Sequence, residues 1–177
     1  MHPLQIAAVP AALAVVIALA AVALPARYTV ERSITIHADK AAIADAVGDL
    51  SRRTAFVAWV EKDPGARYDH VGAPGQPGSA LRFVGDTVGA ATISLVSRTA
   101  DEIDTRIDFE QPMKMTARDR FVLENVDGGV RVRWVNSADV SGACKVFALV
   151  ADRVLGPDYE AGLRKLKASL EAPTQHT

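Results

Sequence analysis

Near the C-terminal end, Tyr159, Leu163, Leu166 and Leu170 recur at steps of four, three and four, which sets them in one stripe along a helix. Glu160, Arg164, Lys165 and Lys167 take its other side. Such a stripe has to be covered. The apolar surface able to cover it lies in the alternating segments between residues 28 and 137, so the helix is expected in the concavity of one curved sheet.

Those segments alternate at the period of a half-buried strand. In residues 28–36, Val30, Ile34 and Ile36 share one side, and Thr29, Glu31, Ser33 and Thr35 the other. The clearest case is residues 102–110. Ile103, Thr105, Ile107 and Phe109 face one way, and Glu102, Asp104, Arg106, Asp108 and Glu110 face water, which points to an antiparallel sheet with one wet face. Residues 116–125 turn Ala117, Asp119, Phe121 and Leu123 inward. After a hairpin turn at Asn125, Asp127, Gly128 and Gly129, the next strand turns Val130, Val132, Trp134 and Asn136 the same way. Short strands are also expected over 79–84 and 90–97.

Between the first strand and the rest, Asp39 offers an N-cap to a short helix through Ile43 and Val47, closed near Gly48. A second helix over 51–60 carries Phe56 and Trp59 and stops at Asp63-Pro64-Gly65. The glycines and prolines from Gly72 to Gly78 read as a turn-rich connection. No Lys-Ser/Thr pair and no helix follow them, as a phosphate cradle would need. In the closing helical run, Gly156-Pro157 predicts a kink or break, with Phe147, Val150, Ala151 and Val154 on the first piece.

A different signal stands before the first strand. Residues 4–24 hold no charged side chain in a run of Ala, Val, Leu and Ile, a length that as a helix just crosses a hydrocarbon core. Residues 1–26 are therefore expected to be a single-pass membrane anchor, 27–172 the folded domain and 173–177 a polar tail. Arg27 and Arg32 follow the span and none precedes it, which places the domain in the cytoplasm by the positive-inside rule. The alternative is a cleaved signal peptide and an exported domain, which the small residues near Ala21 and Ala26 would serve.

Charge and special residues bound the function. With 20 basic against 21 acidic residues, the net charge of -1 gives no electrostatic case for nucleic acid. His2, His37, His70 and His176 lack metal-ligand spacing, the single Cys144 has no internal disulfide partner, and no serine sits in a nucleophile elbow. No metal and no cofactor is expected.

The order of one strand, two short helices, six strands and a long C-terminal helix carries a family resemblance. With it go Arg32-Ser33-Ile34-Thr35-Ile36, Trp59, Asp63-Pro64, the glycines from Gly72 to Gly78, Gln111-Pro112, Arg131-Val132-Arg133-Trp134 and Gly156-Pro157-Asp158-Tyr159-Glu160-Ala161-Gly162-Leu163. Together they resemble the SRPBCC superfamily, and within it the polyketide cyclase/dehydrase-like proteins. The resemblance covers nearly all of the chain beyond residue 27. It implies an α+β START-like helix-grip fold, in which a seven-stranded antiparallel curved sheet grips the last helix over a deep, mostly apolar pocket. Members of the family bind lipids, sterols, polyketides or other hydrophobic molecules there, and some catalyse reactions.

By strand parity the pocket-facing set is Leu81, Phe83, Ile93, Ile107, Phe109, Asp119, Phe121 and Trp134, with Leu95 and Val132 beside them, roofed by Trp59, Phe147 and Val150. Asp119 breaks the apolar pattern and needs a cation, a donor or water. Arg32, on the apolar side of its own strand, is the expected partner. The leading expectation is a membrane-tethered protein that binds a hydrophobic small molecule without catalysis. The alternatives are a cyclase- or dehydratase-type enzyme using Asp119 and Arg32, and a partner-binding domain with a vestigial pocket. Oligomeric state has no signal.

Overall fold

Strand β1 (Arg27–Ile36) opens the fold and is followed by helix α1 (Lys40–Gly48), a 3-10 turn (Leu50–Ala55) and the one-turn helix α2 (Trp59–Lys62). Six strands come next: β2 (Arg67–Val71), β3 (Ala80–Gly85), β4 (Gly89–Arg98), β5 (Glu102–Gln111), β6 (Met115–Val126) and β7 (Gly129–Asp139). A short 3-10 turn (Gly142–Cys144) then leads into the long helix α3 (Lys145–Glu171). This computed structural model describes residues 24–172, so the expected tail and the expected anchor up to residue 23 lie outside the described residues. Among the described residues no helix is long and apolar enough to cross a membrane.

All seven strands join one antiparallel sheet in the order β1-β7-β6-β5-β4-β3-β2. The alternation read in residues 102–110 is realised in β5, where Ile103, Thr105 and Ile107 are buried and Arg106 is exposed. Paired charges cover the wet face: Arg120 reaches Asp104 at 2.9 Å and Glu102 at 3.2 Å across the β5–β6 ladder. The glycine-rich stretch is the expected connection between strands. Gly72, Gly75 and Gly78 all take positive φ there, a conformation that costs glycine nothing.

The other face of the sheet holds α3. Tyr159, Leu163 and Leu166 are buried against it as the stripe requires, and Leu163 alone would cost about 2–5 kcal/mol if cut to alanine. Gly162 lets the helix come close. A Cβ at that position would lie 2.9 Å from Cζ3 of Trp134 and 3.1 Å from the carbonyl oxygen of Phe56.

Two local expectations are corrected, and a third holds in a different form. The helix does not break at Gly156-Pro157 but runs through it for 27 residues. Pro157 and Arg153 are both exposed, so the carbonyl left without its helical donor lies on the watery side of the helix, where solvent serves it. The second short helix is two pieces, a 3-10 turn and a single α turn. Asp39 holds the N-cap through its backbone carbonyl, with no side-chain cap bond.

Candidate ligand cavity

Between α3 and the β3–β5 part of the sheet lies a cavity of about 390 Å³, within the range of small-molecule sites. From the sheet come Phe83, Ile93, Ile107, Phe109 and Asn136, and from β1 Tyr28. The β3–β4 turn adds Thr87 and Val88, the β5–β6 turn adds Pro112 and Met113, and Met115 opens β6. Trp59 and Lys62 close it from α2, and Cys144, Phe147, Leu155, Asp158 and Tyr159 from the α3 side. Tyr28 and Phe147 meet edge to face with centroids 5.5 Å apart, which braces the helix against β1.

Lys62 and Asp158 are the charged side chains in this wall, and they neutralise one another through a 2.6 Å ion pair that joins α2 to α3. Asp63, next along, is buried and accepts from the backbone N–H of Thr87 at 2.7 Å and of Val88 at 3.2 Å. It thereby fixes the turn that carries part of the wall.

The structure brings Phe83, Ile93, Ile107 and Phe109 to the cavity as strand parity expects, and Trp59 and Phe147 to it from the helices. Leu81, Asp119, Phe121 and Trp134 face the same side but lie in the filled interior, each at most 1% exposed. Phe121 and Trp134 pair across β6 and β7 and stack with centroids 4.7 Å apart. Val150 turns outward and is 39% exposed, because the face of α3 through Phe147, Ala151 and Leu155, centred about a quarter turn round from it, is the one that meets the domain.

Asp119 is fully buried, as its place in the strand requires, but Arg32 is not its partner. Arg53 is: Nη2 donates to Asp119 Oδ2 at 2.5 Å, with neither side chain exposed. Asn136 Nδ2 donates to Oδ1 at 2.7 Å and the Tyr159 hydroxyl to Oδ1 at 3.3 Å. The guanidinium lies over Phe56, Phe121 and Trp134, 5.7, 5.1 and 5.1 Å from their centroids. Register explains the exchange. Arg32 lies in one row with Trp134 and Phe121, whereas Asp119 lies in the row of Asn136 and Val30. Arg32 instead meets α3 beside Gly156, where Asp152 at 2.7 Å and Glu160 at 2.8 Å flank it one helical turn to either side.

Arg53 was legible only in part. It stands three residues before Phe56, on the same helical face, and a buried Asp119 demands a cation. Asn136, which parity turned inward without placing it at the pocket, is a wall residue, and Tyr28, Tyr159, Met113, Met115 and Leu155 are further ones outside the expected set.

Burial first, and Asp119 second, push the Tyr28 hydroxyl up to about 12, and the same two causes raise Tyr159 well above its ordinary value. Both remain protonated at neutral pH. Asp119 stands one layer behind the wall and is engaged by three donors, so the Asp119–Arg32 pair that a catalytic reading needs is not formed. Among the described residues no cluster of His, Cys, Asp and Glu could hold a metal ion.

A family model described as polyketide cyclase/dehydrase and lipid transport matches residues 27–171, and the chain belongs to that family. Solved structures carry the same fold. Protein CV1439 from Chromobacterium violaceum is 13% identical, covers 81% of this chain and 96% of its own, and superposes with a TM-score of 0.60. Ara h 8.0201 is 14% identical over 81% of this chain and 97% of its own, at 0.58. The di-domain ARO/CYC StfQ from the steffimycin biosynthetic pathway is 16% identical over 82% of this chain and 51% of its own, at 0.59. At these identities the likeness is one of fold, the helix grip of the SRPBCC superfamily. No curated protein matches the chain.

Proposed function

We propose that the protein holds a lipid-, isoprenoid- or polyketide-like small molecule in the cavity between α3 and the sheet, tethered to a membrane by residues 4–24. The observation that carries this reading is the cavity itself, about 390 Å³ with an apolar wall whose charged side chains neutralise one another. Membership of a family described by polyketide chemistry and lipid transport supports the same class of guest.

The tether draws support from the sequence and from where the domain begins. Residues 4–24 are uncharged, and the chain enters β1 where Ala26 accepts from Val140 N–H at 2.8 Å and Arg27 meets Asp139 at 3.7 Å. The first turns of α3 follow directly, and there Val146, Leu149 and Val154 are 57%, 58% and 53% exposed on one face. An apolar helix face beside the point of entry suits a domain held against a bilayer. Arg27 and Arg32 orient it to the cytoplasm, and N-terminal sequencing of the mature protein decides between this anchor and a cleaved signal.

Native mass spectrometry of the full chain, released from detergent, tests the binding reading. A co-purifying apolar molecule of defined mass is expected. A chain that stays empty, and takes up no lipid or isoprenoid when these are added, removes it.

A further inference from the structure

In the cavity wall, Asn136 is oriented by what stands behind it. Its Nδ2 donates to Asp119 Oδ1 at 2.7 Å and to the carbonyl oxygen of Arg118 at 3.4 Å. Both are acceptors, so turning the amide over would set oxygen against oxygen, and the nitrogen is committed to that side. Its other end, Oδ1, is buried and has no protein partner. Tyr159 likewise commits its proton to Asp119, which leaves its oxygen free only to accept. The buried cation Arg53 holds Asp119 as the common acceptor of this set. This end of the cavity therefore accepts hydrogen bonds, with Tyr28 in the same wall.

A second buried wall atom lacks a partner, Trp59 Nε1, and it is a donor. Trp59 packs on Phe83 of β3, and β3 lies four strands from β7 in the sheet order. The two residues thus stand on different parts of the wall, and their orphaned atoms have opposite polarity. A carboxylate guest would bring its charge toward Asp119, whereas an alcohol, phenol or amine brings the proton that Asn136 lacks.

We propose that the cavity selects, among apolar molecules of its size, those that carry a hydrogen-bond donor at one end, seated on Asn136 Oδ1. This rests on the binding reading above and names the chemistry of its guest.

The test titrates the full chain in phosphatidylcholine nanodiscs by calorimetry, with empty nanodiscs as the partition reference. The probes are 4-octylphenol and 4-octylanisole, which share a body and differ in whether the oxygen carries a proton. The phenol is expected to bind on the order of tenfold tighter although it is the less hydrophobic of the two. In Asn136→Leu that preference is expected to vanish. Equal binding of the two probes by the unmodified protein overturns the proposal and leaves the cavity reading standing, and this arm needs no variant to fold. A preference retained in full by a folded Asn136→Leu also overturns it. If neither probe binds, the binding reading falls and the proposal falls with it.

Discussion

Arg53 donates to Asp119 where neither side chain is reached by solvent. Burial lowers the guanidinium's affinity for its proton and raises the carboxyl's, and in each case the opposite charge is what counters it. Removing one partner leaves the other as an uncompensated charge. Asp119→Leu and Arg53→Met should each cost about 3–5 kcal/mol in urea denaturation. The double variant Arg53→Met with Asp119→Leu should cost much less than the sum. Strict additivity would mean that the two side chains are not energetically coupled.

Lys62 and Asp158 bridge α2 and α3 at the cavity, with Lys62 half exposed. A pair so open to water contributes under about 1 kcal/mol to stability, and its effect should be on passage instead. Lys62→Ala is expected to leave the melting temperature nearly unchanged while speeding release of 4-octylphenol in stopped-flow exchange. Added salt should speed release from the natural protein and have little effect on the variant. An unchanged release rate in Lys62→Ala would show that the pair does not guard the cavity.

Gly162 and Gly156 both let α3 approach the sheet, but against different neighbours. At Gly162 the added methyl meets the ring of Trp134, buried in the core, and a backbone carbonyl, neither of which can swing away. Gly162→Ala should therefore lose about 1–3 kcal/mol. At Gly156 the methyl would meet Nη2 of Arg32, the end of a flexible side chain that can move at the expense of its ion pairs. Gly156→Ala is expected to be the milder of the two in chemical denaturation, and the reverse order would refute this account of the contact.

Acid should loosen α3 from β1. Hydrogen bonding to Arg32 holds the Asp152 carboxyl below its ordinary 3.8, and the backbone N–H of His37 does the same for Glu171 relative to 4.5. A carboxyl with a depressed folded pKa takes up its proton more readily in the unfolded chain. Its contribution is thus complete above the ordinary value and lost as pH falls through the lower folded one. Asp152→Asn and Glu171→Gln should flatten the dependence of stability on pH below about 4.5, measured by denaturant midpoints. Variants whose acid limb matches that of the natural protein would rule these contacts out as its source.

Period carried most of the architecture. The inward parity of Ile107, Phe121 and Trp134 and the stripe of Tyr159, Leu163 and Leu166 are one-dimensional facts, because side chains alternate at two in a strand and return near 3.6 in a helix. The family motifs extended that to the helix grip. Parity says which side a residue faces but not how much space lies in front of it, which is why Phe83 and Phe109 reach the cavity while Leu81 and Phe121 are packed over. Asp119 announced itself by breaking the pattern. Its partner did not, since Arg53 comes from a 3-10 turn whose position over the sheet has no period to read.

By itself, then, the sequence determined the strand faces, the gripping helix, the buried carboxylate and the uncharged segment before the domain. Tertiary structure alone decided that Arg53 rather than Arg32 answers Asp119, that α3 passes unbroken through Pro157, and that Asn136 is left with an acceptor to satisfy. The reason is physical. Alternation is a property of neighbours along the chain, whereas ion pairing, room for a guest and an amide's orientation depend on strand register and on how closely α3 settles, distances set only when the whole sheet is assembled.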